Sequence, residues 1–113
     1  FIIETGDLID ANINRRLIEN IFFKYAPLHD GAMVIVNNRI IAARCTLPMS
    51  ESQNIPAHLG MRHRAAAGLT EETDASAIVV SEQTGNISFV KNGEIKVMGS
   101  LTELRLAIEN AGK

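Results

Sequence analysis

At 113 residues, with a formal net charge of −2, 46% hydrophobic and 21% charged residues, the chain has the balance of one soluble globular domain. Four Phe, one Tyr and no Trp imply an aliphatic core and exclude an aromatic platform for single-stranded nucleic acid. The slight negative charge excludes the broad basic face that duplex binding needs, so any anion site must be local.

The first residues, Phe1-Ile2-Ile3, read as the tail of a strand or an apolar staple over the next helix. A chain that opens this way, without Met, reads as a piece of something longer. Gly6-Asp7 breaks the run. Asp10 or Asn12 is expected to cap a helix reaching about Tyr25, with Ile13, Leu17, Ile21, Phe22 and Tyr25 at helical spacing. Pro27 ends that helix. Leu28-His29-Asp30-Gly31 is a turn into the apolar run 32–36, which Asn37-Asn38 joins to the run 39–45 as a hairpin. Neither run alternates strictly, which predicts central strands covered on both faces. The lone cysteine, Cys45, closes the second run; it admits no internal disulfide and fits a reducing compartment.

Residues 48–56, rich in Ser, Asn and Gln, form a loop ahead of a short helix that carries Arg62-His63-Arg64 near its start and that Gly68 is expected to close. The polar stretch 70–74 connects to a strand over 75–80, and 81–85 is a loop at its end. Asn86-Ile87-Ser88-Phe89-Val90 alternates as a strand, and Lys91-Asn92-Gly93-Glu94 is a type I′ signal into a strand over 95–98. Ser100 with Glu103 forms a capping box, Leu101, Leu104 and Ile108 set the apolar stripe of a last helix, and Gly112 follows its end. The expected class is α/β, a mixed central sheet of at least five strands flanked by helices. The chain shows no repeat, no second domain, no signal peptide and no apolar run near the ~20 residues of a membrane span.

Three polar groups fall at or beside strand ends, where open α/β sheets bind ligands: His29-Asp30-Gly31, Arg62-His63-Arg64 and Ser81-Glu82. Arg62 and Arg64 offer permanently charged forks that match phosphate oxygens, and a helix start adds its positive dipole end and N–H groups. A carboxylate such as Asp30 opposite an arginine pair is what a metal–nucleotide site needs. The ordinary alternatives are a solvent-facing basic helix start and a simple turn at Asp30-Gly31. Zinc ligation by His29, His58, His63 and Cys45 lacks a usual ligand spacing, and no nucleophile-elbow pattern surrounds Ser81. Neither a Gly-Lys-Ser/Thr phosphate loop nor a dinucleotide fingerprint is present.

Taken together, Pro27-Leu28-His29-Asp30-Gly31-Ala32, Arg62-His63-Arg64-Ala65-Ala66 and Ser81-Glu82-Gln83-Thr84-Gly85 resemble the diadenylate cyclase domain over nearly the whole chain, 1–113. The likeness is greatest to the membrane-anchored members, whose catalytic domain follows transmembrane helices. The resemblance implies condensation of two ATP into cyclic di-AMP with release of two pyrophosphates. It also implies a divalent metal (Mg, Mn or Co) and a second copy of the domain facing the first, with no nucleic-acid partner. It places Asp30 on the metal and the attacking 3′-hydroxyl, Gly31 and Ala32 at the nucleotide pocket, and Leu47 at the adenine. Arg62, His63 and Arg64, with Met61 and Ser81 beside them, would hold the triphosphate. Glu82, and His29 as a further candidate, would join Asp30 on the metal. Met61 stands where the family often has threonine, and Gln83 where it often has a second acid. A family strand expected upstream of Phe1 is missing from the sequence. The parent protein is expected to be bacterial, anchored in the membrane through its N-terminal region, with this domain in the cytoplasm. The alternative is a catalytically inactive module that binds ATP or cyclic di-AMP.

Overall fold

The computed structural model describes residues 2–24, 31–53, 55, 56, 58–81 and 83–111. The expectations for Phe1, Tyr25, Pro27, the 28–30 part of the turn, His29, Asp30, Glu82 and Gly112 lie outside the described residues. The chain divides into two compact units, Phe1–Leu47 and Pro48–Lys113.

In the first unit a short 3-10 turn, Ile2–Thr5, leads into strand β1, Asp7–Asn12. This corrects the expected helix start. Asp10 and Asn12 do not cap anything; they bind Arg39, which lies 29 and 27 residues further on. The Arg39 guanidinium donates to the Asp10 carboxylate (2.9 Å), the Asp10 carbonyl (2.8 Å) and the Asn12 side-chain oxygen (2.8 Å). Asp10 stands at φ 51, inside an irregularity of the β1 register. Helix α1, Arg15–Ile21, starts later and is capped by Asn14, whose Oδ1 accepts from the N–H groups of Arg16 (2.8 Å) and Leu17 (3.2 Å).

The hairpin of β2, Ala32–Val36, and β3, Arg39–Cys45, forms as expected. Asn37 and Asn38 both hold positive φ, 51 and 62, the pair of left-handed residues a type I′ turn requires. β3 is central, paired antiparallel to β1 on one side and β2 on the other. β2 is an edge of this ladder, with Ile35 and Val36 exposed, which corrects the reading of both runs as central. Ile21, Ile40 and Ala43 form the core, with Ile9, Leu17, Ile18 and Met33 packed on it.

In the second unit helix α2 runs Met61–Glu72, so the basic triplet does sit in its first turn. Gly68 lies inside the helix rather than closing it, and Thr70 to Glu72 are helical rather than a connection. Strands β4, Ser76–Val80, β5, Ile87–Lys91, and β6, Glu94–Val97, form an antiparallel ladder in chain order. Asn92 and Gly93, at φ 53 and 78, make the predicted turn between β5 and β6. One face of this ladder is covered by α2, with Ala66, Val79 and Val90 buried together and Ala77 and Ile95 against them. The last helix, α3, spans Leu101–Ala111; Ser100 Oγ accepts from the Glu103 N–H (3.1 Å), and the Glu103 carboxylate accepts from the Gly99 N–H (2.8 Å). None of its residues is buried.

The class is α/β, as read from the sequence. All described pairings are antiparallel, in two three-stranded ladders, where a mixed sheet was expected. Two-residue turns at Asn37-Asn38 and Asn92-Gly93 permit only antiparallel neighbours. Among the described residues no helix is long and apolar enough to cross a membrane.

Candidate functional site

Strand β4 delivers its chain end to Ser81, and the following loop folds back on itself. The Ser81 N–H donates to the Asn86 carbonyl (2.9 Å) and the Ser81 carbonyl accepts from the Gly85 N–H (3.0 Å). Ser81 Oγ accepts from the N–H groups of Gln83 (3.2 Å) and Thr84 (3.3 Å), so the hydroxyl organises the loop. Beside this loop, α2 begins after Gly60. Arg62 Nη1 donates to the Val80 carbonyl (2.9 Å), which fastens the first turn of the helix to the end of β4.

Gly60, Met61, Arg62, His63, Ser81 and Gln83 line a cleft of about 170 Å³ between the helix start and the loop. Its electrostatics favour an anion. The positive end of the α2 dipole, worth roughly half an elementary charge, opens onto it, and the Arg62 guanidinium borders it. His63 is only 4% exposed, and its Nδ1 has no hydrogen-bond partner among the described residues. Burial lowers the His63 pKa from its ordinary value, and electrostatic repulsion from His58 and then Arg62 lowers it further, which favours the neutral ring.

Arg64 is turned elsewhere. It lies on the face of α2 that also carries Gly68 and Glu71, at spacings of four and seven residues. A loop rests on that face. The Ser50 N–H donates to the Arg64 carbonyl (2.9 Å), and Arg64 Nη1 reaches the Ser52 carbonyl (3.4 Å). Buried Ser50 donates its hydroxyl to the Glu71 carboxylate (2.8 Å) and accepts from the Ser52 N–H (3.1 Å).

The structure therefore brings Met61, Arg62, His63 and Ser81 together, with Arg64 on an adjoining face. Gly31, Ala32 and Leu47 belong to the first unit. Ala32 pairs with Cys45 at the start of β2, Gly31 packs on the backbone of Arg44 and Cys45, and Leu47 is half-buried just past β3. Cys45 is buried; burial, then the Asp7 charge, pushes its thiol above the ordinary value, as for an inert core cysteine. No group of three His, Cys, Asp or Glu side chains able to hold a metal occurs among the described residues, and zinc ligation by His58, His63 and Cys45 gains no support. The sequence reading missed Gly60 as a lining residue and the Val80 carbonyl as the partner of Arg62. The available signal for Gly60 was a glycine standing where a helix start usually carries Ser, Asp or Asn.

Residues 1–95 match the family model described as DAC, DisA bacterial checkpoint controller nucleotide-binding. The chain is 52% identical over 93 residues to the cyclic di-AMP synthase CdaA of Bacillus subtilis, covering 82% of this chain and 34% of that one. It also resembles the crystal structure of a double mutant of DacA from Staphylococcus aureus, with a TM-score of 0.87 at 44% identity, over 95% of this chain and 73% of that one. The structure of a hypothetical membrane spanning protein from Bacillus cereus matches with a TM-score of 0.82 at 44% identity, over 85% and 47% of the two chains. The chain thus spans about a third to a half of the length of curated relatives such as CdaA and the diadenylate cyclase CdaS of Bacillus thuringiensis. With the family model covering most of its length, this chain belongs to the diadenylate cyclase (DAC) family.

Proposed function

We propose that residues 1–113 act as one catalytic domain of a diadenylate cyclase, condensing two ATP into cyclic di-AMP with release of two pyrophosphates. The observation that carries this reading is the cleft at the first turn of α2, where Arg62, His63 and Ser81 meet at a helix N-terminus. A triphosphate is the kind of ligand such a cleft suits: guanidinium, helix dipole and backbone N–H groups all oppose its charge. The names of the relatives, cyclic di-AMP synthase and diadenylate cyclase, support the nucleotide chemistry.

In this reading Arg62 and His63, with Met61 and Ser81 beside them, hold the triphosphate, and Arg64 adds its charge at the same helix end. Gly31 and Ala32 shape the nucleotide pocket and Leu47 lines the adenine. Each domain holds one ATP, and the product contains two AMP units, so a second copy of the chain facing the first supplies the other half. The 3′-oxygen of each ATP bonds to the α-phosphorus of the other, the bond to pyrophosphate breaks, and the hydroxyl proton leaves with Asp30 assisting. The gain over solution comes from alignment for in-line attack and from cations on the developing charge.

Diadenylate cyclases are generally metal-dependent. Asp30, Glu82 and His29 offer oxygen and nitrogen donors suited to Mg, Mn or Co, and these residues would hold the ion. Bound there, the metal would neutralise phosphate charge. We further propose that this domain stands on the cytoplasmic side of a membrane-anchored bacterial protein. The likeness to a Bacillus cereus protein described as membrane spanning supports this placement.

The test is incubation of the chain with ATP and Mg, Mn or Co, with the product identified by mass. Cyclic di-AMP is expected. ATP binding without product under all three metals would make the chain a binding module instead.

A further inference from the structure

Loop residues 48–52 meet one face of α2 at three points. Near the helix start the Ser50 N–H donates to the Arg64 carbonyl (2.9 Å). One turn on, the Pro48 carbonyl presses against Gly68, where a Cβ would overlap it. A further turn on, the hydroxyl of buried Ser50 donates to Glu71 Oε2 (2.8 Å). Ser50 Oγ also accepts from the Ser52 N–H (3.1 Å), and the Ser52 carbonyl accepts from Arg64 Nη1 (3.4 Å). A path of hydrogen bonds thus runs from Glu71 through Ser50 and Ser52 to the Arg64 guanidinium. Arg64 and Glu71 stand about 10 Å apart along the helix axis, and the loop bridges them. Helix stability does not call for Glu71, which lies in the last turn of α2, where the negative end of the dipole disfavours a carboxylate. The β5–β6 turn packs on its stem: a Cβ built on Gly93 would stand 2.7 Å from Glu71 Cγ, and the Gly93 N–H donates to Thr70 Oγ1 (3.0 Å).

We propose that Glu71 is a positioning residue for Arg64: through Ser50 it fixes the backbone at 50–52, and the Ser52 carbonyl then sets the direction of the Arg64 guanidinium. The proposal rests on the triphosphate reading above, in which Arg64 adds its charge at the helix end, and it names the group that aims that charge. A guanidinium tethered at one nitrogen holds its planar fork in place, so less freedom is lost when an anion docks. Glu71 touches no ligand in this arrangement. Its effect on affinity must therefore vanish when Arg64 is absent, which a merely structural role would not produce.

The experiment measures binding of ATP with Mg by calorimetry, and stability by urea unfolding, at a temperature where every variant is folded. It compares the unaltered chain, Glu71→Ala, Glu71→Gln, Arg64→Ala and the double variant Arg64→Ala with Glu71→Ala. Glu71→Ala should weaken ATP roughly fivefold. Glu71→Gln, whose amide oxygen still accepts from Ser50, should keep affinity within about twofold of the unaltered chain. In the Arg64→Ala background Glu71→Ala should cost no further affinity, while it still lowers the urea midpoint. Ser50→Ala breaks the path at its middle and should show the same dependence on Arg64, which decides the matter if Glu71→Ala does not fold. Equal weakening in both backgrounds, unchanged affinity in Glu71→Ala, or a Glu71→Gln as weak as Glu71→Ala would overturn the proposal. So would an Arg64→Ala that binds ATP like the unaltered chain, or an unaltered chain that does not bind it. Product formation is scored separately. The coupling without cyclic di-AMP would sink the cyclase reading alone, and cyclic di-AMP without the coupling would sink this inference alone.

Discussion

Gly31 lies directly against the backbone of Arg44. A Cβ built on Gly31 would stand 2.8 Å from the Arg44 carbonyl carbon and 2.8 Å from the Cys45 carbonyl oxygen. Gly31 sits at φ +104, and Arg44 itself is left-handed at φ 57, within a strand. The two unusual conformations fit each other: the kink at Arg44 brings β3 close where only a residue without a side chain can pass. Both contacts are to backbone, which cannot step aside. Gly31→Ala should therefore cost about 2 kcal/mol or more in stability, read as a lower urea midpoint at constant m. It should also abolish cyclic di-AMP formation, because Gly31 follows Asp30 directly. A variant as stable as the parent would mean that the close approach does not matter.

A second glycine makes a prediction whose sign runs against helix propensity. Gly68 is in the interior of α2, where alanine is normally favoured by about 1 kcal/mol. Here a Cβ would overlap the Pro48 carbonyl oxygen and stand 2.9 Å from the Ser50 nitrogen. Gly68→Ala should push the loop off the Arg64–Gly68–Glu71 face and destabilise by roughly 2 kcal/mol, despite the better helix former. Denaturant unfolding decides it, and a stabilised variant would show that the loop does not rest there. Ser50→Ala, which removes the hydroxyl from Glu71 and Ser52, should cost about 1–2 kcal/mol by the same measurement.

His63 sets a pH dependence. Its folded-state pKa lies below the ordinary value of 6.5, chiefly through burial. Below about pH 6.5 the unfolded chain binds a proton that the folded chain refuses, so unfolding takes up protons and stability falls with acidification. Above that value both states are neutral and the contribution is flat. Urea unfolding between about pH 5 and pH 7.5 should show this decline, and His63→Gln should flatten it. An identical slope in the variant would remove His63 as its source.

Asp30→Asn should abolish turnover while ATP binding persists, since an amide keeps the shape but neither holds a divalent ion firmly nor assists deprotonation. Calorimetry and product mass, taken together, separate the two effects. On the proposal that two copies meet to form the product, specific activity of the unaltered chain should also rise with protein concentration. A flat profile from dilute solution upward would indicate a pair that is already stable, and retained turnover in Asp30→Asn would take that residue out of the chemistry.

What the sequence determined by itself was whatever depends on neighbours along the chain. Asn37-Asn38 and Asn92-Gly93 announce their hairpins because left-handed residues are scarce and local. Ser100 and Glu103 identify a helix start three residues apart, and Arg62-His63-Arg64 ahead of three alanines falls in the first turn of α2 as expected. What only the tertiary structure decided depends on partners distant in the chain. Asp10 and Asn12 look like caps until Arg39 claims them, turning the expected helix start into strand β1. Gly68 looks like a helix terminator until the Pro48 carbonyl is seen against it. The anion cleft has both histories. Its charges were legible in the Arg62-His63-Arg64 triplet. The Val80 carbonyl that holds Arg62 and the burial that lowers the His63 pKa arise only in the folded chain, where the end of β4 meets the start of α2.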